Sequence, residues 1–303
     1  MQILYAFQGT ESDDLKPYEN QLAKSMEGML DLYILMLNLL LAIQLKAEKY
    51  EVLKAKQLSE SAAILMQNSK FVENSVIEKI KTSDKLQKFT ENRKLNNWEF
   101  DDEYPDLLFK SLVKNKIYRD YMADPERDFK TDRLFILDIY KNLIAPSEKL
   151  YEYFEDKKIT WLDDYPVVNT VLVKMLKKLN EKSSGDQLLP DLFRDDEDRD
   201  FGIDLLKKTI LNLTKLNTII QENTTNWDKD RIAKLDLVLL QMAICEIRNF
   251  SSIPVKVTIN EYLEIAKEYS TPKSSVFING ILDKILKDYE AKGTLNKMGR
   301  GLM

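Results

Sequence analysis

The sequence predicts an all-α protein, and three observations carry that expectation. The 303 residues include only 8 glycines and 8 prolines, with 31% charged residues and abundant Leu, Lys and Glu, the composition of a helical soluble chain. Apolar residues repeat at helical spacing through the segments between residues 227 and 289. The length is at or beyond the size at which one core splits, so two domains are the default.

The chain opens on MQILYAFQG, a helix with Ile3, Leu4 and Phe7 on its inner face, ended near Gly9. From Tyr18 to about Met66 there is no proline and a single glycine, Gly28, which supports one long or once-broken helix. Its most apolar part, MLDLYILMLNLLLAIQL, invites a membrane reading, but Asp31, Asn38 and Gln44 interrupt it. No unbroken apolar run approaches the roughly 18 to 20 residues of a span. A buried core helix is the expectation.

Two later helix starts are alike: WEFDDEYPDLLFKSLVKN from Trp98 and WLDDYPVVNTVLVKM from Trp161. Both place Asp-Asp before Tyr-Pro, where aspartate caps and proline suits a first turn, so a shared start signal explains the likeness without a true repeat. Residues 182–200 read as a loop, their RDDEDRD cluster as a solvated linker without the glycine turn of a calcium loop. FGIDLLKKTILNLTKLNTII then reads as one core helix with Phe201, Leu205, Thr209 and Leu213 along a face.

Three C-terminal segments follow. In WDKDRIAKLDLVLLQMAICEI, Asp228 is the expected N-cap, and two stripes (Ile232, Leu235, Leu239, Met242 and Leu237, Leu240, Ile244, Ile247) predict a central helix covered from two sides. In IPVKVTINEYLEIAKEY, Pro254 fits a first turn, Val255, Ile259, Tyr262, Leu263 and Ala266 face inward, and Thr258 with Glu261 forms a capping box only if the helix begins there. SSVFINGILDKILKDYE is capped by Ser274 and buries Ile278, Ile281, Leu282, Ile285 and Tyr289, with Phe277 off the stripe. Gly280 inside this helix costs about 1 kcal/mol against alanine, which points to a close backbone approach, of this chain or of a partner.

The chemistry is narrowed by absences. The chain has no histidine and one cysteine, Cys245, set among apolar neighbours as a buried small hydrophobe. No glycine-rich phosphate loop is present, and no enzyme activity, metal or cofactor is expected. No secretory leader pattern opens the sequence, which favours the cytoplasm.

The W-x-x-x-R-I-x-x-x-D-x-x-L-L run from Trp227 to Leu240, IPVKVTINEYLEIAK, and the F-I-N-G-I-L-D of Phe277 to Asp283 together resemble the C-terminal half of the NusB family of transcription antitermination factors. Ile3, Leu4 and Tyr5 are similar to that family's first helix. The resemblance implies an all-α fold, a two-bundle NusB-like core with a large inserted helical subdomain. The expected division is 1–16 for the first helix, 17–198 for the insertion and linker, and 199–303 for the rest of the core and the tail. The insertion and the KMGRGLM tail are similar to NusB proteins of the Bacteroidetes type.

The family's function is implied with it: binding of single-stranded boxA-type RNA together with the ribosomal protein NusE, within the antitermination complex on RNA polymerase, in support of ribosomal RNA synthesis and away from any membrane. Tyr5, Asp236 and Phe277 match family positions on or near that RNA and NusE surface. Gln241, which stands where the family usually has arginine, and Lys273 and Ser274, at the start of the helix that carries Phe277, are the further RNA- or NusE-binding candidates. Bland readings stand beside these: Tyr5 as packing, Asp236 as a solvated charge, Phe277 as half-buried core. The family's arginine-rich segment before the first helix has no counterpart after Met1, and such a basic segment is expected upstream in the natural gene or a close relative.

Charge bears on how RNA would be held. Residues 227–303 hold 12 Lys and Arg against 10 Asp and Glu, while the chain as a whole is at -5, so nonspecific pull on phosphates is small. Affinity then rests on stacking, on local lysines such as Lys234 and Lys273, and on a basic partner. A helical protein scaffold that keeps the fold without binding RNA is the alternative.

Overall fold

In a computed structural model, residues 1–10, 14–57, 70–224, 232–295 and 297 are described, and they form helices with no strand among them. The chain divides into two compact units: Met1–Lys24 with Phe193–Met303, and Ser25–Leu192.

The first unit takes both ends of the chain. Helix α1 (Gln2–Gln8) buries Leu4 and stops at Gly9. The start of α2 (Lys16–Gln57) belongs here because Tyr18 and Leu22 pack, with Leu4, against Leu206 and Val238. Phe7 meets the Tyr18 ring edge-on at 5.1 Å.

The second unit is built on the rest of α2. By length and composition α2 could cross a membrane, yet 67% of its most apolar window is buried inside the protein. Each polar residue that interrupts that run has a partner in the unit: Asp31 takes Arg93 at 2.7 Å, Asn38 donates to Thr90, and Gln44 donates to the Val72 carbonyl at 3.0 Å. These are the partners a buried polar group requires, so α2 is a core helix as its interruptions implied.

Around it run α3 (Ser75–Lys81), α4 (Asp84–Arg93), α5 (Asn97–Phe100), α6 (Glu103–Lys114), α7 (Lys116–Ala123) and α8 (Phe129–Ile139). A five-residue π-helix (Tyr140–Ile144) continues α8, and α9 (Glu148–Lys157), α10 (Trp161–Lys178) and a 3-10 turn (Gly185–Leu188) complete the unit. Trp98 and Trp161 donate their indole N–H groups to the α2 carbonyls of Leu35 and Gly28, at 2.8 and 2.7 Å. At Gly185 an added Cβ would lie 1.8 Å from the Lys79 carbonyl oxygen, so only glycine fits that approach.

The two starts that place Asp-Asp before Tyr-Pro do not share a geometry. The first is cut between Phe100 and Glu103, whereas the second runs on as one helix with Pro166 inside it. Neither aspartate pair caps with its side chain. Asp101 instead takes Tyr153 and Lys157, and Asp102 takes Lys46 at 2.6 Å, so tertiary ion pairs displaced the local cap.

In the first unit α11 (Asp196–Leu211) and α12 (Leu213–Asn223) replace the single helix expected from Phe201. The break falls at Asn212, which donates its side chain back to the Lys208 carbonyl, as Asn readily does at a helix end. The acidic cluster is likewise a helix start rather than a linker. Asp195 accepts from Asp198 N, and Asp196, Glu197 and Asp198 fill the first turn of α11, where carboxylates oppose the helix dipole. Arg194 grips Asp198 with two nitrogens, the closer at 2.9 Å.

The last three helices are α13 (Lys234–Asn249), α14 (Val255–Tyr269) and α15 (Ser274–Ala291). Helix α13 touches α1, α11, α12, α14 and α15, and from Val238 to Ile247 it is buried at every residue except Met242. The expected cap Asp228 lies outside the described residues, and the helix begins later than expected, after Ala233. Helix α14 begins directly after Pro254, which leaves no capping box at Thr258. Thr258 is instead fully buried and donates to Glu246 at 2.7 Å, beside Tyr262 at 3.0 Å. Cys245 is buried, and burial pushes its thiol up, as an unreactive core group should behave.

Candidate functional site

The site is built where α13, α14 and α15 converge. Asp236, in the first turn of α13, is 5% exposed. Its two oxygens accept from Ser270 Oγ at 2.6 Å and Ser274 Oγ at 2.8 Å. Ser274 Oγ also accepts from Thr271 N at 3.2 Å. The carboxylate therefore fixes both ends of the turn between α14 and α15. It is not the solvated helix charge of the bland reading: burying it is tolerable only because both oxygens are bonded.

Ser274 is the first residue of α15 rather than its cap, a position held by Lys273. Its hydroxyl is spent on Asp236 and the turn, and the side chain is 1% exposed. Fixing the turn sets what α15 presents. Lys273 and Phe277 are one helical turn apart on one face. Lys273 is exposed, Phe277 is half-buried against the core of the unit, and Val276 between them is 76% exposed.

Gly280 continues this face. An added Cβ there would meet nothing within 4 Å among the described residues, so the expected close approach is not made by them, and a partner is the alternative that remains. The result is an open strip: a cation, an aliphatic side chain, an aromatic ring and bare backbone. Lower on the helix Lys284 donates to the Asn223 carbonyl at 3.1 Å and ties α15 to the end of α12.

Gln241 has a different environment. It is 1% exposed, accepts from Gln8 Nε2 at 2.6 Å, and donates to Asn217 Oδ1 at 2.7 Å. A single buried amide thus links α1, α13 and α12, with both of its ends engaged. Tyr5 lies on α1, 47% exposed. Lys234 is exposed at the start of α13. The structure brings Asp236 and Ser274 into contact, places Lys273 and Phe277 on one face, and joins Gln241 to α1.

Gln8, Asn217, Ser270 and Thr271 complete these two networks and were missed from sequence. Only the Ser-Thr pair just after α14 carried a local signal, since hydroxyls at a helix end seek nearby partners. Among the described residues no group of three or more His, Cys, Asp or Glu is placed to hold a metal ion.

The NusB family model matches residues 164–287, a stretch that holds Asp236, Gln241, Lys273, Ser274 and Phe277 but not Tyr5. A transcription antitermination protein NusB of Salinibacter ruber is 43% identical over 131 residues, which cover 41% of this chain and 82% of that protein. The protein of the same name from Finegoldia magna is 49% identical over 92 residues, 29% of this chain and 67% of its own. That from Listeria monocytogenes is 41% identical over 108 residues, 36% of this chain and 83% of its own. No solved structure matches the chain. With that identity over most of these relatives' length, and with the family model spanning the helices that carry the clamped turn and its open face, the chain belongs to the NusB family.

Proposed function

We propose that this protein is a transcription antitermination factor that binds single-stranded boxA-type RNA together with NusE, in the cytoplasm and within the complex on RNA polymerase that makes ribosomal RNA. The observation that carries the reading is the open strip of α15, Lys273, Val276, Phe277 and Gly280, held in place by the bonds of Asp236 to Ser270 and Ser274. A ring beside a cation on a solvent-facing helix is suited to stacking a base and neutralising its phosphate. The bare backbone at Gly280 admits close approach of a partner.

Each residue has a distinct part in this reading. Phe277 and Tyr5 supply π-faces, and Lys273 and Lys234 supply local positive charge in a chain whose net charge is -5. Asp236 and Ser274 act through the turn they hold, and Gln241 acts by seating α1. No step of this function makes or breaks a covalent bond.

The test is RNA affinity of the full chain against its Phe277→Leu and Tyr5→Ala variants. Leucine keeps apolar contact with the core but has no π-face. Each variant should bind boxA RNA about 5- to 100-fold more weakly with its thermal transition little changed. Unchanged affinity in both would favour the alternative, a helical scaffold that no longer binds RNA.

A further inference from the structure

Within the second unit, a cavity of about 380 Å³ lies where the π-helix ends and α9 begins. Ala145, Pro146 and Ser147 line one part of it, Glu148, Tyr151 and Glu152 another, and Tyr165 of α10 the rest. The two tyrosine rings stand 5.9 Å apart at 83°. Tyr165 is 6% exposed, its hydroxyl donating to the Ala145 carbonyl at 3.1 Å, whereas Tyr151 is 42% exposed and makes no side-chain hydrogen bond among the described residues.

We propose that this cavity takes the guanidinium of an arginine from a partner protein, held against the Tyr151 and Tyr165 rings and paired with Glu148. The cavity's charge is complementary to such a side chain. Among the described residues Glu148 makes no ion pair, and Glu152 pairs with Lys149 alone, at 2.7 Å with both side chains more than half exposed, a contact that water and salt screen readily. The surrounding residues 145–165 hold six acids against three lysines.

The walls point the same way. Both tyrosines line the cavity, and the π-face of a tyrosine ring attracts a cation, the planar guanidinium of arginine above all. The site is also built stiffly. Ser147 caps α9 through Leu150 N, and Tyr165 is pinned to Ala145, the residue that closes the π-helix, a distortion often found beside functional sites. The acidic rim repels the phosphates of RNA, so the occupant is a protein side chain. This role is separate from the RNA-binding reading and does not rest on it.

The experiment uses the full chain with 13C-labelled tyrosine rings, the Tyr151 and Tyr165 signals being assigned by single phenylalanine replacements. An acetylated Gly-Arg-Gly amide should shift both signals saturably, and its neutral citrulline counterpart should bind at least several-fold more weakly. Glu148→Gln and, read at Tyr165, Tyr151→Leu should each weaken the arginine peptide by roughly three- to tenfold, while the other tyrosine signals stay in place and report an intact fold. Equal binding of the citrulline peptide, no saturable shift, or displacement of these two signals by boxA RNA instead would overturn the proposal.

Discussion

Asp236 and Ser274, 38 residues apart in sequence, meet at 2.8 Å inside the first unit, and this bond sets the start of the helix that carries Lys273 and Phe277. A buried carboxylate that accepts two hydroxyls holds its turn more firmly than any local cap would. Asp236→Ala should leave Ser270 and Ser274 without their acceptor and cost roughly 1 to 3 kcal/mol. Urea denaturation checks it, and a loss below about 0.5 kcal/mol would show that the turn is held by something else.

Gln241 makes the parallel link to the other end of the chain. Truncating it to alanine removes the partner of Gln8 and of Asn217 in a place that is 1% exposed. Gln241→Ala should destabilise by about 1 to 2 kcal/mol and loosen α1, read as faster amide exchange at Leu4 to Gln8. Unaltered exchange there would mean that α1 is seated by Leu4 alone.

The carboxyl of Asp164 is raised to about 6 by burial, against the opposing charge of Lys158 and with the like charge of Asp163 adding to the rise. Its folded value lies above its unfolded one, so the native state binds the proton more tightly. The group therefore costs stability as pH rises from about 4 through 6, and the cost is complete above that. Asp164→Asn should stabilise the fold at pH 7.5 by on the order of 1 kcal/mol after discounting for its half-exposed position, read as a higher thermal transition. The gain should shrink at pH 5 and vanish near pH 4. A gain equal at all three pH values would rule out titration of Asp164 as its cause.

Much of this fold was legible in the residues. The buried stripe Ile278, Ile281, Leu282, Ile285 and Tyr289 follows from helical spacing alone, and every member is 8% exposed or less. Asp31, Asn38 and Gln44 argued against a membrane span because each needs a partner, and each has one. Errors came where a local signal had a distant competitor. Asp101 and Asp102 look like caps, but Tyr153, Lys157 and Lys46 take them. At Asn212 the competitor is local: its side chain donates back to the Lys208 carbonyl and ends a helix that the apolar pattern alone would continue.

The site was readable only in part, and for a related reason. Family resemblance marks Asp236 and Gln241, but not which way their side chains face. Asp236 turns inward because Ser270 and Ser274 lie within reach, and Gln241 because Gln8 and Asn217 do. Those partners lie up to 233 positions away, beyond the reach of any periodicity. The openness at Gly280 is likewise a property of what fails to pack there, which a sequence does not record.

The central claim is that the clamped α15 face holds RNA and does so with help from NusE. It is tested most directly by titrating boxA RNA with the full chain, alone and premixed with NusE, beside a scrambled RNA of equal length at one salt concentration. The account predicts tighter binding of boxA by the mixture than by the chain alone, and preference of the mixture for boxA over the scrambled sequence. No gain from NusE together with equal affinity for the two RNAs would contradict it.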